Sequence, residues 1–291
     1  MTTSRPSLTA VGRPAAGDID VFGISHQGSV RPTNEDHFFI GSVHKQIIAI
    51  ATSVPEELLP TLTSGTRGYL FLIADGVASN RGGSIASGTA LGAITHHITH
   101  LMDFYYTHDE RQAGVFLEAL RGSVERSHQV VRAEARRDPE HPQMATTLTM
   151  VAILWPRAYV VQVGDSRAYR LRDDRLELLT RDQTMAQEMV DAGALDAGAA
   201  EASPLKHVLV SAIGAAEASP VATMSDCEWE DRLLLCTDGL TKHVSDAEIA
   251  ERLGADRSAE QIARDLVNLA LERGGSDNVT VIVGRLRDRQ R

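Results

Sequence analysis

Short apolar runs rich in β-branched residues recur along the chain at residues 20–25, 37–40, 69–74, 146–154, 159–163, 233–236 and 279–283. Most are too short for helices, so strands are predicted at these places. Helical spacing appears at 84–102 and again at 115–137, back to back after the third run. Strands in groups and helices in groups indicate an α+β fold and not strict βαβ alternation. Two later helices carry their own start signals. Ser245 with Glu248 and Ser258 with Gln261 stand at the spacing of a capping box, in which side chains satisfy exposed amide donors at the helix start. In the second, Ile262, Leu266 and Leu269 form the stripe expected to be buried. Residues 184–204 are rich in Ala, Gly, Asp and Glu, with a short amphipathic piece at 185–190, and read as a surface flap between strands.

No internal repeat or low-complexity linker divides the chain, so one domain is expected over 18–286, with a flexible lead-in at 1–17 and a basic solvated tail at 287–291. The 43% of hydrophobic residues among 291 suffices for a large core. A formal net charge of −10 argues against a nucleic-acid partner, which would need a basic face, while suiting a site made of carboxylates. Cys227 and Cys236 form neither a C-x-x-C pair nor a disulfide framework and are expected as small core residues in a reducing cytoplasm. No apolar run approaches the roughly 20 residues of a membrane helix, and the start lacks the apolar stretch of a signal peptide. The expectation is a soluble, cytoplasmic monomer with no membrane partner.

Acids recur at the ends of the apolar runs. Leu70-Phe71-Leu72-Ile73-Ala74 leads into Asp75-Gly76, and Leu233-Leu234-Leu235-Cys236-Thr237 into Asp238-Gly239. Val160-Val161-Gln162-Val163-Gly164 leads into Asp165, Asp277 follows Gly274-Gly275-Ser276, and Asn34-Glu35-Asp36 precedes His37. Any single Asp-Gly pair is explained by turn chemistry, since both residues favour turns. Several carboxylates delivered to one edge of a sheet repel one another and lose hydration, so such a cluster calls for cations. Oxygen ligands select the hard ions Mg²⁺ or Mn²⁺ over zinc. A glycine after Asp75 and Asp238 lets the backbone approach an ion closely.

These residues also resemble, in order, the motifs of the metal-dependent protein phosphatase family of the 2C type in its bacterial form. The similarity runs over Gly28-Ser29-Val30-Arg31-Pro32-Thr33-Asn34-Glu35-Asp36, Ala74-Asp75-Gly76-Val77, Met144-Ala145-Thr146-Thr147 and Val163-Gly164-Asp165-Ser166-Arg167-Ala168-Tyr169. It continues through Leu179-Thr180-Arg181-Asp182, Leu235-Cys236-Thr237-Asp238-Gly239-Leu240 and Gly274-Gly275-Ser276-Asp277-Asn278-Val279-Thr280. The resemblance implies a four-layer α-β-β-α sandwich of two antiparallel sheets, with two Mn²⁺ or Mg²⁺ ions in a cleft at one edge. By motif position, Asp75 would bridge the ions, Gly76 would offer its carbonyl, Asp238 and Asp277 would complete one ion, and Asp36 and Glu35 would hold ligand waters. Arg31 would grip the substrate phosphate through its planar fork of donors. The implied activity is hydrolysis of phosphoserine and phosphothreonine in phosphoproteins by a metal-bridging hydroxide, opposite a Ser/Thr kinase in bacterial signalling. Thr146, Thr147 and Asn278 are expected as hydrogen-bonding supports.

The chain departs from the family pattern at two places. Val77 stands where some relatives have a histidine that can act as general acid, and Ala78-Ser79-Asn80 intervene before Arg81-Gly82-Gly83. Lys242 lies four positions after Asp238, where an acid helps hold a third ion beside Asp165 in relatives. It is therefore expected either to weaken that third site or to replace the ion by pairing with Asp165. A phosphoprotein-binding module with weak catalysis is the main alternative. A zinc site at His96, His97 and His100 is disfavoured because no H-E-x-x-H pattern accompanies them. A serine hydrolase is disfavoured because Gly23-Ile24-Ser25-His26-Gln27 breaks the nucleophile-elbow pattern.

Overall fold

The computed structural model describes residues 14, 16–44, 66–77, 82–101 and 112–287. Among them, ten strands form two antiparallel five-stranded sheets. In chain order they are β1 (Ile19–His26), β2 (His37–Val43), β3 (Gly68–Ala74), β4 (Leu148–Leu154), β5 (Arg157–Val163), β6 (Arg167–Arg172), β7 (Arg175–Leu178), β8 (Val221–Asp226), β9 (Arg232–Cys236) and β10 (Val279–Leu286). One sheet runs β1-β10-β9-β6-β7 and the other β2-β3-β4-β5-β8. Helices α1 (Gly82–Thr99) and α2 (Ala113–Arg137) follow β3. The short helices α3 (Met185–Asp191), α4 (Ala197–Ala202) and α5 (Asp238–Thr241) come later, and α6 (Asp246–Gly254) and α7 (Ala259–Glu272) precede β10.

The period of two along each strand explains the layering. In β3, Tyr69, Phe71 and Ile73 face inward against Val151, Ile153, Leu233, Leu235 and Ile282, forming the core between the sheets. The alternate residues Leu70, Leu72 and Ala74 face outward against Ala86, Ala90 and Ile94 of α1 and Phe116 and Leu120 of α2. The other sheet offers Tyr169, Leu234, Cys236, Val281 and Val283 to Ile249 of α6 and Ile262, Ala263 and Leu266 of α7. Because β3 and β4 are covered on both faces, all their residues are buried, and their sequences read as continuous apolar runs. The four-layer α-β-β-α sandwich is thus observed.

Both predicted capping boxes form. Ser245 accepts from Glu248 N–H, and Ser258 accepts from Gln261 N–H, with the reciprocal side-chain bonds present. Cys227 and Cys236 are buried free thiols. Several boundaries differ from the sequence reading. The strand predicted from residue 146 begins at Leu148, because Thr146 instead bridges Gly76 and Ile213. The helix read as 84–102 spans Gly82–Thr99, and Met102 lies outside the described residues. Strands β6, β7 and β8 were not predicted. The basic tail also starts attached: Arg287 donates from its backbone to the Asp18 carbonyl, and its guanidinium pairs with Asp20. No helix among the described residues is long and apolar enough to cross a membrane.

Candidate metal centre

Antiparallel pairing fixes which chain ends meet. β3 pairs with β2 in a register that sets Ala74 opposite His37, so Asp75 emerges beside Asp36. In the facing sheet β10 pairs with β9, with Val281 opposite Cys236, so Asp238 and Asp277 emerge together at the same edge. Asp165 follows β5, which pairs with β4. The result is a cleft of about 760 Å³ whose walls include Arg31, Glu35, Asp75, Asp165, Asp238 and Asp277. A second cleft of about 400 Å³ continues beneath the α3–α4 flap and shares Asp165, His207, Asp238 and Lys242 with the first.

The loops are locked by small residues and amides. A Cβ on Gly239 would run into the Asn278 carbonyl, and one on Gly76 into the Gly83 backbone, so both Asp-Gly turns require glycine for close backbone approach. Thr146 Oγ1 donates to the Asp75 carbonyl at 2.8 Å, and Asp75 N–H donates to Thr147 Oγ1 at 3.1 Å. Asn278 accepts from Glu35 N–H and donates to the carbonyls of Gln27 and Thr33. The supporting roles read for Thr146, Thr147 and Asn278 are therefore seen as contacts. His26 accepts from Gly28 N–H, and His37 shares a hydrogen bond with Ser87, as local partners. His96 on α1 and His100 just beyond its end lie exposed with ring centroids 5.0 Å apart.

Sequence reasoning missed Thr237 and Thr280. Their hydroxyls donate to Asp36 Oδ2 at 2.9 and 2.7 Å, although both sit inside quoted motifs, each beside an acid or its strand. It also missed His207, which the flap brings to the rim of both clefts. A histidine in a Gly- and Ala-rich flap is a weak signal on its own.

The acids divide into two electrostatic groups. Burial pushes Asp36 up to about 7, against the two threonine hydrogen bonds that lower it. Burial, together with Asp238 and Asp182, pushes Asp165 up to about 8. Asp75 is partly open to the cleft by surface area but densely surrounded; desolvation and the charges of Asp36, Asp238, Asp165 and Asp277 hold it well above the usual carboxylate range. For Asp277 burial acts upward too, but Arg31 and Lys242 outweigh it and leave the carboxyl below its ordinary value. Arg31 Nε and Nη2 grip Asp277 at 2.6 and 2.8 Å, while Lys242 Nζ lies 2.6 Å from Asp238 and 2.7 Å from Asp277. Of the two outcomes expected for Lys242, the ion pair with Asp165 is not formed, because the helical turn of α5 places Lys242 over Asp238 at i,i+4 spacing.

The donor set is all oxygen. Asp36 Oδ1 and Asp238 Oδ1 are buried without a hydrogen-bond partner, which is costly in a protein interior unless a cation completes them. Among the described residues no three acidic, histidine or cysteine side chains close into a compact cage, and the ammonium of Lys242 stands between Asp238 and Asp277. The carboxylate oxygens fit hard divalent ions in chemistry. A pH dependence follows. The raised carboxyls Asp36 and Asp165 favour the folded state while protonated, so their contribution is complete below about pH 4 and is lost as pH rises through about 7 and about 8, and Asp75 acts in the same direction. Asp277 acts oppositely, losing its contribution only at low pH. In chelator, thermal unfolding is expected at lower temperature at pH 8 than at pH 6, and Mn²⁺ is expected to remove the difference. A chelated protein more stable at pH 8 would contradict these carboxyl assignments.

The family model described as Protein phosphatase 2C matches residues 61–274. The serine/threonine protein phosphatase PstP of Mycobacterium tuberculosis is 32% identical over 264 residues, covering 91% of this chain. This chain spans 44% of that relative's length. Protein phosphatase PhpP of Streptococcus pneumoniae is 32% identical over 213 residues, 73% of this chain and 83% of the relative. A crystal structure of the PstP catalytic domain in complex with two manganese ions superposes with a TM-score of 0.71 at 31% identity, over 93% of this chain and 99% of that one.

Proposed function

The chain belongs to the protein phosphatase 2C family, and from that membership we propose that it hydrolyses phosphoserine and phosphothreonine monoesters in proteins with the help of two divalent ions. The observation that carries this reading is the meeting of Asp36, Asp75, Asp238 and Asp277 from four strand ends, with buried carboxylate oxygens that lack a protein partner. The two manganese ions in the PstP catalytic domain support it.

Asp75 would help hold both ions, Gly76 would offer its carbonyl, Asp238 and Asp277 would complete one ion, Asp36 and Glu35 would hold ligand waters, and Asp165 would serve a third ion. When bound, such ions supply positive charge that acidifies water and offsets charge building on the phosphoryl oxygens. The chain's own side chains do the rest. Thr146 and Thr147 fix the backbone on either side of the Asp75 carboxyl. Thr237 and Thr280 hold Asp36 in one orientation through one oxygen, leaving the second buried without a protein partner. Arg31 is more than half exposed at the cleft mouth, with its guanidinium fork already turned toward an oxygen pair, the geometry that binds a phosphoryl group bidentately. Val77 offers no proton at the cleft wall. We assign phosphoproteins as substrates and bacterial signalling opposite a Ser/Thr kinase as the setting, with the protein acting as a cytoplasmic monomer.

The test is initial-rate hydrolysis of a phosphothreonine peptide with Mn²⁺, with chelator, and by Asp238→Ala. Activity is expected in the first condition alone, with losses of at least about 10²-fold in the others. Equal rates in all three would refute the two-ion reading, and no turnover in any would favour a phosphoprotein-binding module.

A further inference from the structure

Lys242 closes the first turn after Asp238, donating its backbone N–H to the Asp238 carbonyl at 2.8 Å. The neighbouring His243 fastens this turn to the loop of Asp277, since its Nε2 accepts from Ser276 N–H at 3.1 Å. The Lys242 ammonium is thereby delivered between two acids on separate loops, 2.6 and 2.7 Å from their oxygens, with only 22% of its side chain exposed. It also lines both clefts, so its flexible stem has room beneath the flap when those contacts break. Among the described residues Asp36, Asp75 and Asp165 make no ion pair, whereas Asp238 and Asp277 each make one with Lys242.

We propose that Lys242 is a tethered counter-ion that a divalent cation must displace from Asp238 and Asp277, making one of the two ion positions intrinsically weaker than the other. The inference rests on the two-ion reading above. A divalent ion gains more from two carboxylates than an ammonium does, yet entry there costs two part-buried ion pairs, while entry beside Asp75 and Gly76 breaks none that Lys242 makes. Removing the ammonium leaves Asp238 uncompensated and Asp277 with Arg31 alone until an ion arrives, so the metal-free protein becomes less stable and the ion binds more tightly.

Calorimetric titration with Mn²⁺ and thermal unfolding in chelator, on the wild type, Lys242→Met and Lys242→Arg, test this. Two unequal affinities are expected for the wild type. Lys242→Met is expected to tighten the weaker by at least about tenfold and to unfold earlier in chelator, with Lys242→Arg close to the wild type. Wild-type and Lys242→Met proteins with equal affinities and equal unfolding temperatures would overturn the inference while leaving the two-ion reading intact. A wild type that binds no Mn²⁺ would overturn both. Acetylation of Lys242 in the wild type, followed by mass spectrometry, gives a readout without a variant: labelling is expected to be slow in chelator and several-fold faster with Mn²⁺, and an unchanged or slower rate would overturn the inference.

Discussion

Asp75→Asn is expected to lower Mn²⁺-dependent phosphopeptide hydrolysis by about 10³-fold or more while raising the unfolding temperature of the chelated protein. The two effects have one cause. Burial disfavours the Asp75 charge and four neighbouring acids add repulsion, so the metal-free fold bears an unfavourable charge that an amide of the same shape relieves. In the proposed two-ion site the same carboxyl would help hold the ions, and a neutral amide is a poor substitute for a carboxylate ligand. Initial rates at saturating Mn²⁺ and unfolding in chelator separate the roles. Loss of both activity and stability would mean that Asp75 serves mainly to hold the fold. Activity within tenfold of the wild type would remove it from the ion site.

The second large effect concerns backbone and not charge. Gly239→Ala places a methyl against the carbonyl oxygen and carbon of Asn278, with the Val279 side chain behind them. Backbone atoms cannot rotate away as a long side chain can, so β9 and β10 must separate at their site ends. Asn278 in turn anchors Glu35, Gln27 and Thr33, so the displacement spreads to the loop carrying Arg31 and Asp36. A cost of about 3 kcal/mol is expected, at the upper end for overpacking. For a domain of this size that lowers the unfolding temperature by about 6 to 12 °C. Mn²⁺ affinity is expected to fall with it, because Asp238 and Asp277 move apart. A shift under about 2 °C with unchanged Mn²⁺ binding would show that the two turns are not packed as described.

Much of this architecture was legible because buried strands and caps write local signals. The runs ending in Asp75 and Asp238 are apolar throughout, since their sheets are covered on both faces, and the Ser245 and Ser258 boxes need only neighbouring residues. Strands β6, β7 and β8 escaped for the converse reason. In β6, Arg167, Arg170 and Arg172 occupy a strand whose arginines are paired with Asp182, Glu177 and Asp231, so charge hides the pattern. β8 is a sheet edge on which Val221 and Met224 stay exposed. At the site, the acids were visible as strand-end residues, but their compensation was not. The grip of Arg31 on Asp277 spans 246 positions, and Lys242 chose Asp238 and Asp277 over Asp165 because of the pitch of one short helical turn. The hydroxyls of Thr237 and Thr280 likewise needed three dimensions, since only the pairing of β9 with β10 brings both to Asp36.

Crystals soaked in Mn²⁺ and measured at the manganese absorption edge put the site to its most direct trial. Two anomalous peaks are expected between Asp75, the Gly76 carbonyl, Asp238 and Asp277, with Asp36 close by and the Lys242 ammonium moved off its two acids. A map without density there, those carboxylates still held by Lys242 and Arg31 at saturating Mn²⁺, would contradict the assignment of this strand edge as a binding place for divalent ions.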